Sequence, residues 1–242
     1  MTSIVATTDW HLDARTAGAP RRDDLSQALD ASVKRAMQLR TPGNQVIYLF
    51  AGDLCDPWKA SSHAAVATAI DTATRLHNSA VESLWIVGNH DVIEDGTGDH
   101  ALMALGRLNN SQVRVVAFPQ IVSYRHVDIL CLPYPSVTRA YDPVLQVQLM
   151  AKGRGKSDRA LVIAGHLTLQ GLLPGSEATE MPKGREIAWP LATLRACFPG
   201  APILAGHHHH SQVFEGVHVI GSLGRLTFAD AEHTPRWLEM EL

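Results

Sequence analysis

Three apolar runs, Ile4-Val5-Ala6, Val46-Ile47-Tyr48-Leu49-Phe50 and Leu84-Trp85-Ile86-Val87, alternate with two stretches of helical character. This alternation constrains the fold more than any other feature. Each run reads as a buried strand. Between the first two, Leu25, Leu29, Val33, Ala36 and Met37 recur at helical spacing behind Asp23-Asp24, carboxylates that suit a helix N-terminus. Between the second and third, the alanine-rich stretch from Lys59 to Asn78 predicts another helix. Strand, helix, strand, helix, strand at this spacing gives βαβ units on a parallel sheet. Beyond them come short β-like runs over Val113 to Val116, Gln120 to Tyr124 and Val127 to Leu132, then a helix over Tyr141 to Lys152. Leu161 to Ala164 and Ile203 to Ala205 are two more short buried strands, and Gln212 to Leu242 alternates like an antiparallel meander. The longest stretch without periodicity runs from Leu167 to Trp189, and long loops of that kind are usually functional or mobile.

The residues that end these runs carry the chemistry. Asp9-Trp10-His11 follows the first, Gly52-Asp53-Leu54-Cys55-Asp56 the second and Gly88-Asn89-His90-Asp91 the third. Gly165-His166 and Gly206-His207-His208-His209 follow two later strands. In α/β sheets, ligands bind in the crevice beyond the carboxyl ends of the strands, and each glycine is expected to let the backbone turn sharply there. Five loops therefore converge with two aspartates, an asparagine and at least four histidines. The chain has 13 histidines, and histidine is the commonest metal ligand. Mixed carboxylate, amide and imidazole ligands favour Mn²⁺, Fe²⁺ or Zn²⁺ over Mg²⁺ or Ca²⁺. A carboxylate such as Asp53 can bridge two ions about 3.5–4 Å apart, lowering the pKa of a shared water. Asp9 and His11, two apart on an extended segment, point toward one ion; His207 and His209, also two apart, reach different ions.

Composition narrows the partners. With 24 acidic and 21 basic side chains and a formal charge of −3, the chain lacks a basic, non-specific nucleic-acid coat. Bound cations reverse the local sign, so a nucleic-acid enzyme stays open. No run of roughly 18 apolar residues exists to span a membrane. The opening Met1 to Ala6 carries no secretory pattern, and the three cysteines, Cys55, Cys131 and Cys197, are scattered. A reducing cytoplasm is the expected location. At 242 residues, one domain over 1–242 is expected.

The ordered set D-x-H, G-D-x-x-D, G-N-H-D, G-H and G-H-x-H, from Asp9 to His209, resembles the calcineurin-like metallophosphoesterase superfamily. The resemblance implies an α/β fold, a four-layer αββα sandwich, and a site for two divalent ions, Mn²⁺ first. Carried over, Asp9, His11, Asp53 and His209 hold one ion. Asp53, bridging, holds the other with Asn89, His166 and His207. His90 contacts the scissile phosphate or protonates the leaving oxygen, Asp56 orients it, and Asp91 supports that loop. A metal-bridging hydroxide is the implied nucleophile. Within the superfamily, two segments look like the SbcD-type DNA-repair nucleases: Asp9-Trp10-His11-Leu12-Asp13 with Arg21-Arg22-Asp23-Asp24, and Val219 to Phe228, which resembles a G-S-x-x-R-x-x-F segment. That branch implies a DNA substrate whose backbone meets Arg225, Arg15 and Arg21, pairing as a homodimer, and an SbcC-like ATPase partner. Asp13 stands where a glycine is common, and Ala229-Asp230 replaces Gly-Glu. The chain stops at Leu242, so the capping domain and the ATPase-docking helices are expected to be missing.

Two rivals share these residues. One is a cyclic-nucleotide or small-molecule phosphodiesterase or phosphatase with the same metal core. The other is a non-catalytic scaffold, which would be expected to lose ligands, whereas every motif position here is filled. Among single residues, His208 reads as a bystander and Cys55 as packing. Asp56 doubles as a helix cap before Pro57. Trp10 either stacks a base or packs. Arg154, Lys156 and Arg159 read as a solvated loop, and His63, His77, His100, His126, His218 and His233 as surface or core residues.

Overall fold

The three opening runs become parallel neighbours. The computed structural model describes residues 1–56, 62–93, 97–108, 110–135, 142–168 and 188–242. Its first half contains β1 (Thr2–Thr7), the short hairpin β2 (Arg15–Thr16) and β3 (Ala19–Pro20), α1 (Arg22–Leu39), β4 (Gln45–Phe50), α2 (His63–Asn78), β5 (Glu82–Ile86), α3 (Met103–Gly106) and β6 (Val113–Val116). Its second half contains β7 (Gln120–Ser123), β8 (Val127–Leu132), α4 (Pro143–Arg154), β9 (Ala160–His166), α5 (Leu191–Cys197), β10 (Ile203–Gly206), β11 (Gln212–Phe214), β12 (Val217–Val219) and β13 (Leu238–Glu241). One sheet runs β13-β1-β4-β5-β6, parallel except for β13 at its edge. The other runs β11-β12-β10-β9-β8-β7, with antiparallel strands only at its two edges.

Alternation along the strands sorts side chains into layers. On β4, Tyr48 and Phe50 pack with Leu29 and Val33 of α1 and Ala69 and Leu76 of α2. Ile47 and Leu49 turn the other way, onto Ile129, Cys131, Val162 and Ala164 of the second sheet. On β8, Leu130 and Leu132 pack with Val147 of α4 and Leu194 of α5. The result is the expected αββα sandwich. Strands buried on both faces explain why the runs are continuously apolar.

The expected helices begin later than their sequence pattern. The helix read from Lys59 begins at His63, where the Ser62 hydroxyl accepts the Ala65 N–H at 3.3 Å. Ser62, not Asp56, caps it; residues 57–61 lie outside the described residues. The helix read over Tyr141 to Lys152 is Pro143–Arg154, capped by Asp142 with proline in the first turn; Tyr141 lies outside the described residues, as does 169–187 of the unpatterned stretch. The tail is not a meander. β11 and β12 form a hairpin in the second sheet, and the chain then returns to place β13 beside β1. Alternation marks a half-buried strand but carries no information about which sheet receives it.

Two features assigned to solvent or substrate belong to the frame. Arg154 and Arg159 bring Nε within 3.2 and 2.6 Å of the buried Asp128 carboxylate, which also accepts from Ser157. This ion cluster lies at the amino end of β8, away from the histidine-bearing loops. Trp10 is fully buried against Tyr48, Phe50 and Trp85, with ring centroids 6.5, 4.6 and 5.4 Å away. Its Nε1 donates to Thr7 Oγ1 at 3.1 Å, so packing, not base stacking, is its role. Trp10→Ala is expected to lower the unfolding free energy by about 3–5 kcal/mol, read as an earlier midpoint in urea. A loss below about 1 kcal/mol, as for a surface residue, would contradict this placement.

Candidate metal centre

The loops at the carboxyl ends of the strands are unusually bent, and the bending falls on the candidate ligands themselves. Asp9, His11, Asp53 and His207 have φ of 51, 40, 66 and 88°, a region costly for residues with a Cβ. The expectation that each motif glycine turns the chain holds only for Gly52, at φ 102°. The others are there for space. A Cβ on Gly88 would lie 2.2 Å from Asp53 Oδ1 and one on Gly206 2.2 Å from Thr8 Oγ1. Hydrogen bonds lash the loops together. The Trp10 and His11 amides donate to the Asp53 carbonyl at 2.8 and 3.2 Å, and the Asp9 amide to the Gly52 carbonyl at 2.9 Å. The buried Asp91 carboxylate accepts from the Gly88, Asp53 and Leu54 amides at 2.9, 3.0 and 2.9 Å, which ties the second loop to the third.

Three donor sets result: Asp9, His11 and His209; His11, Asp53 and His90; Asp53, His166 and His207. Within each, the donor atoms lie within 4.8 Å of one another, and neighbouring sets share His11 or Asp53. His11 Nε2 lies 3.9 Å from Asp9 Oδ1 and 3.8 Å from Asp53 Oδ2; His209 Nε2 lies 3.8 Å from Asp9 Oδ1. Asp53 Oδ2 also faces His166 Nε2 at 3.3 Å and His90 Nε2 at 3.9 Å. Donors about 2.1 Å from a common ion stand about 3–3.5 Å apart, so these sets need little adjustment. The atoms themselves ask for a cation. His11 Nε2 is buried without a hydrogen-bond partner among the described residues. His166 Nδ1 faces the Ala51 carbonyl at 2.8 Å and so carries the ring proton; its Nε2 lone pair then meets Asn89 Oδ1 at 2.6 Å, acceptor against acceptor. The same Asn89 oxygen lies 3.2 Å from His207 Nδ1.

Burial sets the charges. Desolvation, then the neighbouring His166, lowers His11 to about 3. Desolvation likewise lowers His90, His166 and His209, helped at each by other imidazoles. Asp53 is pushed well above the carboxylate range, first by burial and then by Asp91. Without cations the site thus holds neutral imidazoles beside a carboxylate that resists ionisation; cations reverse that balance.

The structure brings Asp9, His11, Asp53, Asn89, His90, His166, His207 and His209 together. The His90 amide donates to Asp53 Oδ1 at 2.9 Å, and its ring lies 4.8 Å from that of His11. Asp56 is half-buried outside the three sets, its amide donating to Asp13 Oδ1 at 2.7 Å. His208 also stands outside them, 5.0 Å from the His207 ring. Arg15, Arg21 and Arg225 gather on one edge. Arg21 donates to Asp24, to Thr16 Oγ1 and to the Arg225 carbonyl, so it clamps that edge. The Nε atoms of Arg15 and Arg225 donate to the Gly18 and His233 carbonyls, each at 2.9 Å. Two neighbours of the site escaped sequence reasoning. Tyr134 has its ring 6.2 and 6.3 Å from those of His166 and His207; its place just beyond β8, another strand end, was the available signal. Asp230 has Oδ1 4.0 Å from His209 Nδ1.

The profile of the calcineurin-like phosphoesterases matches residues 2–211. Among solved structures, a dimetal phosphatase from Danio rerio superposes with a TM-score of 0.60 at 13% identity, covering 98% of this chain and 91% of that one. Likeness at that identity shows the fold. No curated protein matches the chain in sequence. No helix among the described residues is long and apolar enough to cross a membrane.

The buried imidazoles make the metal-free protein sensitive to acid. His11, His166 and His209 stay neutral when folded but take protons at their ordinary value of 6.5 when unfolded. The unfolded state therefore binds more protons below about pH 6.5, and stability falls as pH falls. Each histidine contributes up to about 1.4 kcal/mol per pH unit, and Asp53, shifted upward, opposes with one such slope. Urea midpoints of chelator-treated protein should drop from pH 7 to pH 5. A flat or rising profile would contradict the buried, neutral assignment.

Proposed function

Because the chain belongs to the calcineurin-like phosphoesterase family, we propose that this metal-dependent phosphoesterase is a two-metal phosphodiesterase that cuts DNA, after the pattern of the SbcD-type nucleases. The observation that carries the two-metal reading is the sharing of His11 and Asp53 between three donor sets. Asp9, His11 and His209 would hold one ion, Asn89, His166 and His207 the other, and Asp53 both. Mn²⁺ is the first choice for this donor set, with Fe²⁺ and Zn²⁺ as the others to try. When bound, such a pair supplies a nucleophile from water near neutral pH and offsets charge on phosphoryl oxygens.

His90 does the rest of the chemistry in this reading. Its backbone is pinned by Asp53, its side chain is nearly buried, and desolvation holds it neutral in the free protein. An anionic phosphate beside it favours the protonated ring, which then donates to a phosphate oxygen and to the departing oxygen. Arg15 and Arg225 support a nucleic-acid strand. Both are exposed, and their terminal guanidinium nitrogens make no hydrogen bond among the described residues. Arg225 lies on a segment fixed at both ends to His209. The Ser222 amide donates to the His209 carbonyl at 3.0 Å, and Asp230 approaches its ring. Guanidiniums in such a place suit successive phosphates. The free thiols of Cys55, Cys131 and Cys197 fit a reducing cytoplasm.

End-labelled single-stranded DNA, given metal-stripped protein with Mn²⁺ restored, should be cleaved, and EDTA should stop it. His90→Ala should lower turnover about 10²–10⁴-fold while metal content stays near that of the native protein. Asp53→Asn or His209→Ala should remove metal and activity together. Hydrolysis of bis-p-nitrophenyl phosphate without any DNA cleavage would move the substrate to small nucleotides. Metal stoichiometry near zero would overturn the enzyme reading and leave a binding scaffold.

A further inference from the structure

Asp230 is a fully buried carboxylate on a turn that is otherwise at the surface. The 3-10 turn Phe228–Asp230 leaves Phe228 80% exposed, yet Asp230 is 0% exposed. One carboxylate oxygen, Oδ2, accepts the Leu226 and Thr227 amides at 3.1 and 2.9 Å. The Thr227 hydroxyl answers by accepting the Ala229 amide at 3.2 Å, which completes a capping box. Capping alone does not require burial, since a cap residue works equally well on an exposed turn. The other oxygen, Oδ1, points inward to within 4.0 Å of His209 Nδ1. On the far side of the same ring, Nε2 lies 3.8 Å from Asp9 Oδ1. The imidazole is therefore set between two carboxylates, one inside the candidate metal centre and one behind it.

A neutral imidazole has one N–H, and the carboxylate behind it decides which nitrogen carries it. A proton on Nδ1 faces Asp230 and leaves the Nε2 lone pair toward Asp9 and the metal position, whereas a proton on Nε2 would face Asp9 instead. At 4.0 Å the contact is a charge against a dipole, longer than a hydrogen bond. We propose that Asp230 is a positioning residue for the metal centre, fixing the tautomer and orientation of His209 while holding the Arg225-bearing segment against it. This inference rests on the two-metal reading, because it needs His209 to be a ligand.

Two variants separate the positioning role from simple turn stability. Asp230→Asn keeps the shape and an amide oxygen but removes the charge facing His209. Thr227→Ala breaks the other half of the capping box and leaves Asp230 in place. Mn²⁺ titration of the metal-stripped full chain should show Asp230→Asn binding the more weakly held ion about 10–100-fold less tightly, with Thr227→Ala near the native value. Long-range ¹H–¹⁵N spectra of the metal-free protein should place the His209 proton on Nδ1 in the native chain and in Thr227→Ala. In Asp230→Asn they should show it redistributed toward Nε2. Native affinity and an unchanged tautomer in Asp230→Asn would overturn the proposal, as would equal metal loss in Thr227→Ala. If His209→Ala weakens Mn²⁺ binding while Asp230→Asn does not, the positioning role fails and the metal centre stands. If His209→Ala also binds normally, both fall.

Discussion

Asp53 is a carboxylate kept out of water, and the end of the molecule that carries chemistry is organised around it. Its Oδ2 faces the Nε2 atoms of His166, His11 and His90 at 3.3 to 3.9 Å, and its Oδ1 takes the His90 amide. None of those imidazoles is inclined to be positive, because burial depresses each of them. A buried ionised carboxylate without a positive partner costs several kcal/mol, and here the partner cannot be a protonated histidine. A pair of divalent cations would offset that cost, and would also account for the crowding of lone pairs at Asn89 and the solitary Nε2 of His11. The same arrangement that disfavours a charged carboxylate on its own would favour strongly charged cations beside it.

Rigid scaffolding has to carry the rest. Left-handed φ at Asp9, His11, Asp53 and His207 costs roughly 1–3 kcal/mol each, a load that only surrounding packing sustains. Trp10 shows how. It sits between two ligand residues and turns into the helix-side core against Phe50 and Trp85. One buried aromatic thereby fixes the backbone from which Asp9 and His11 depart. Asp91 does the same work with hydrogen bonds, accepting three amides from two loops. At the opposite end of the second sheet, the Asp128 cluster of Arg154, Arg159 and Ser157 ties α4 to β8 and β9.

The layered architecture and the set of residues gathered in the crevice are both legible in the sequence, because both follow from local rules. Continuous apolar runs mark strands buried on two faces, and their polar ends mark the crevice. What escaped depends on contacts far apart in the chain. β13 pairs with β1 across almost the whole sequence, so nothing local says that the tail changes sheets. The reason for Gly88 and Gly206 is a neighbour from another loop, not their own φ. Arg159 looks solvated until Asp128 is placed beside it. Asp230, too, reads only as a replacement for a motif glutamate until the fold turns it toward His209.

The three arginines gathered on one edge separate what the fold needs from what a substrate could use. Arg21 is consumed by Asp24, Thr16 and the Arg225 carbonyl, and its loss would loosen the edge before it touched binding. Arg15 and Arg225 each commit only Nε, at 2.9 Å. A net charge of −3 means that no long-range field draws a polyanion toward this surface. On the proposed nuclease reading, attraction would come from the metal pair and these two side chains. Each phosphate neutralised on a single strand adds about −0.7 to the slope of log affinity against log salt. Two such contacts therefore predict a slope of about −1.4, shallow for a DNA-binding protein. A nuclease built this way would grip its strand at the scissile bond and one or two neighbouring phosphates, so Arg15→Ala and Arg225→Ala should each flatten the slope by about one contact. For a small phosphoester held only in the crevice, neither substitution changes the salt dependence. The slope therefore distinguishes a polymer substrate from a small one with the metal chemistry unchanged.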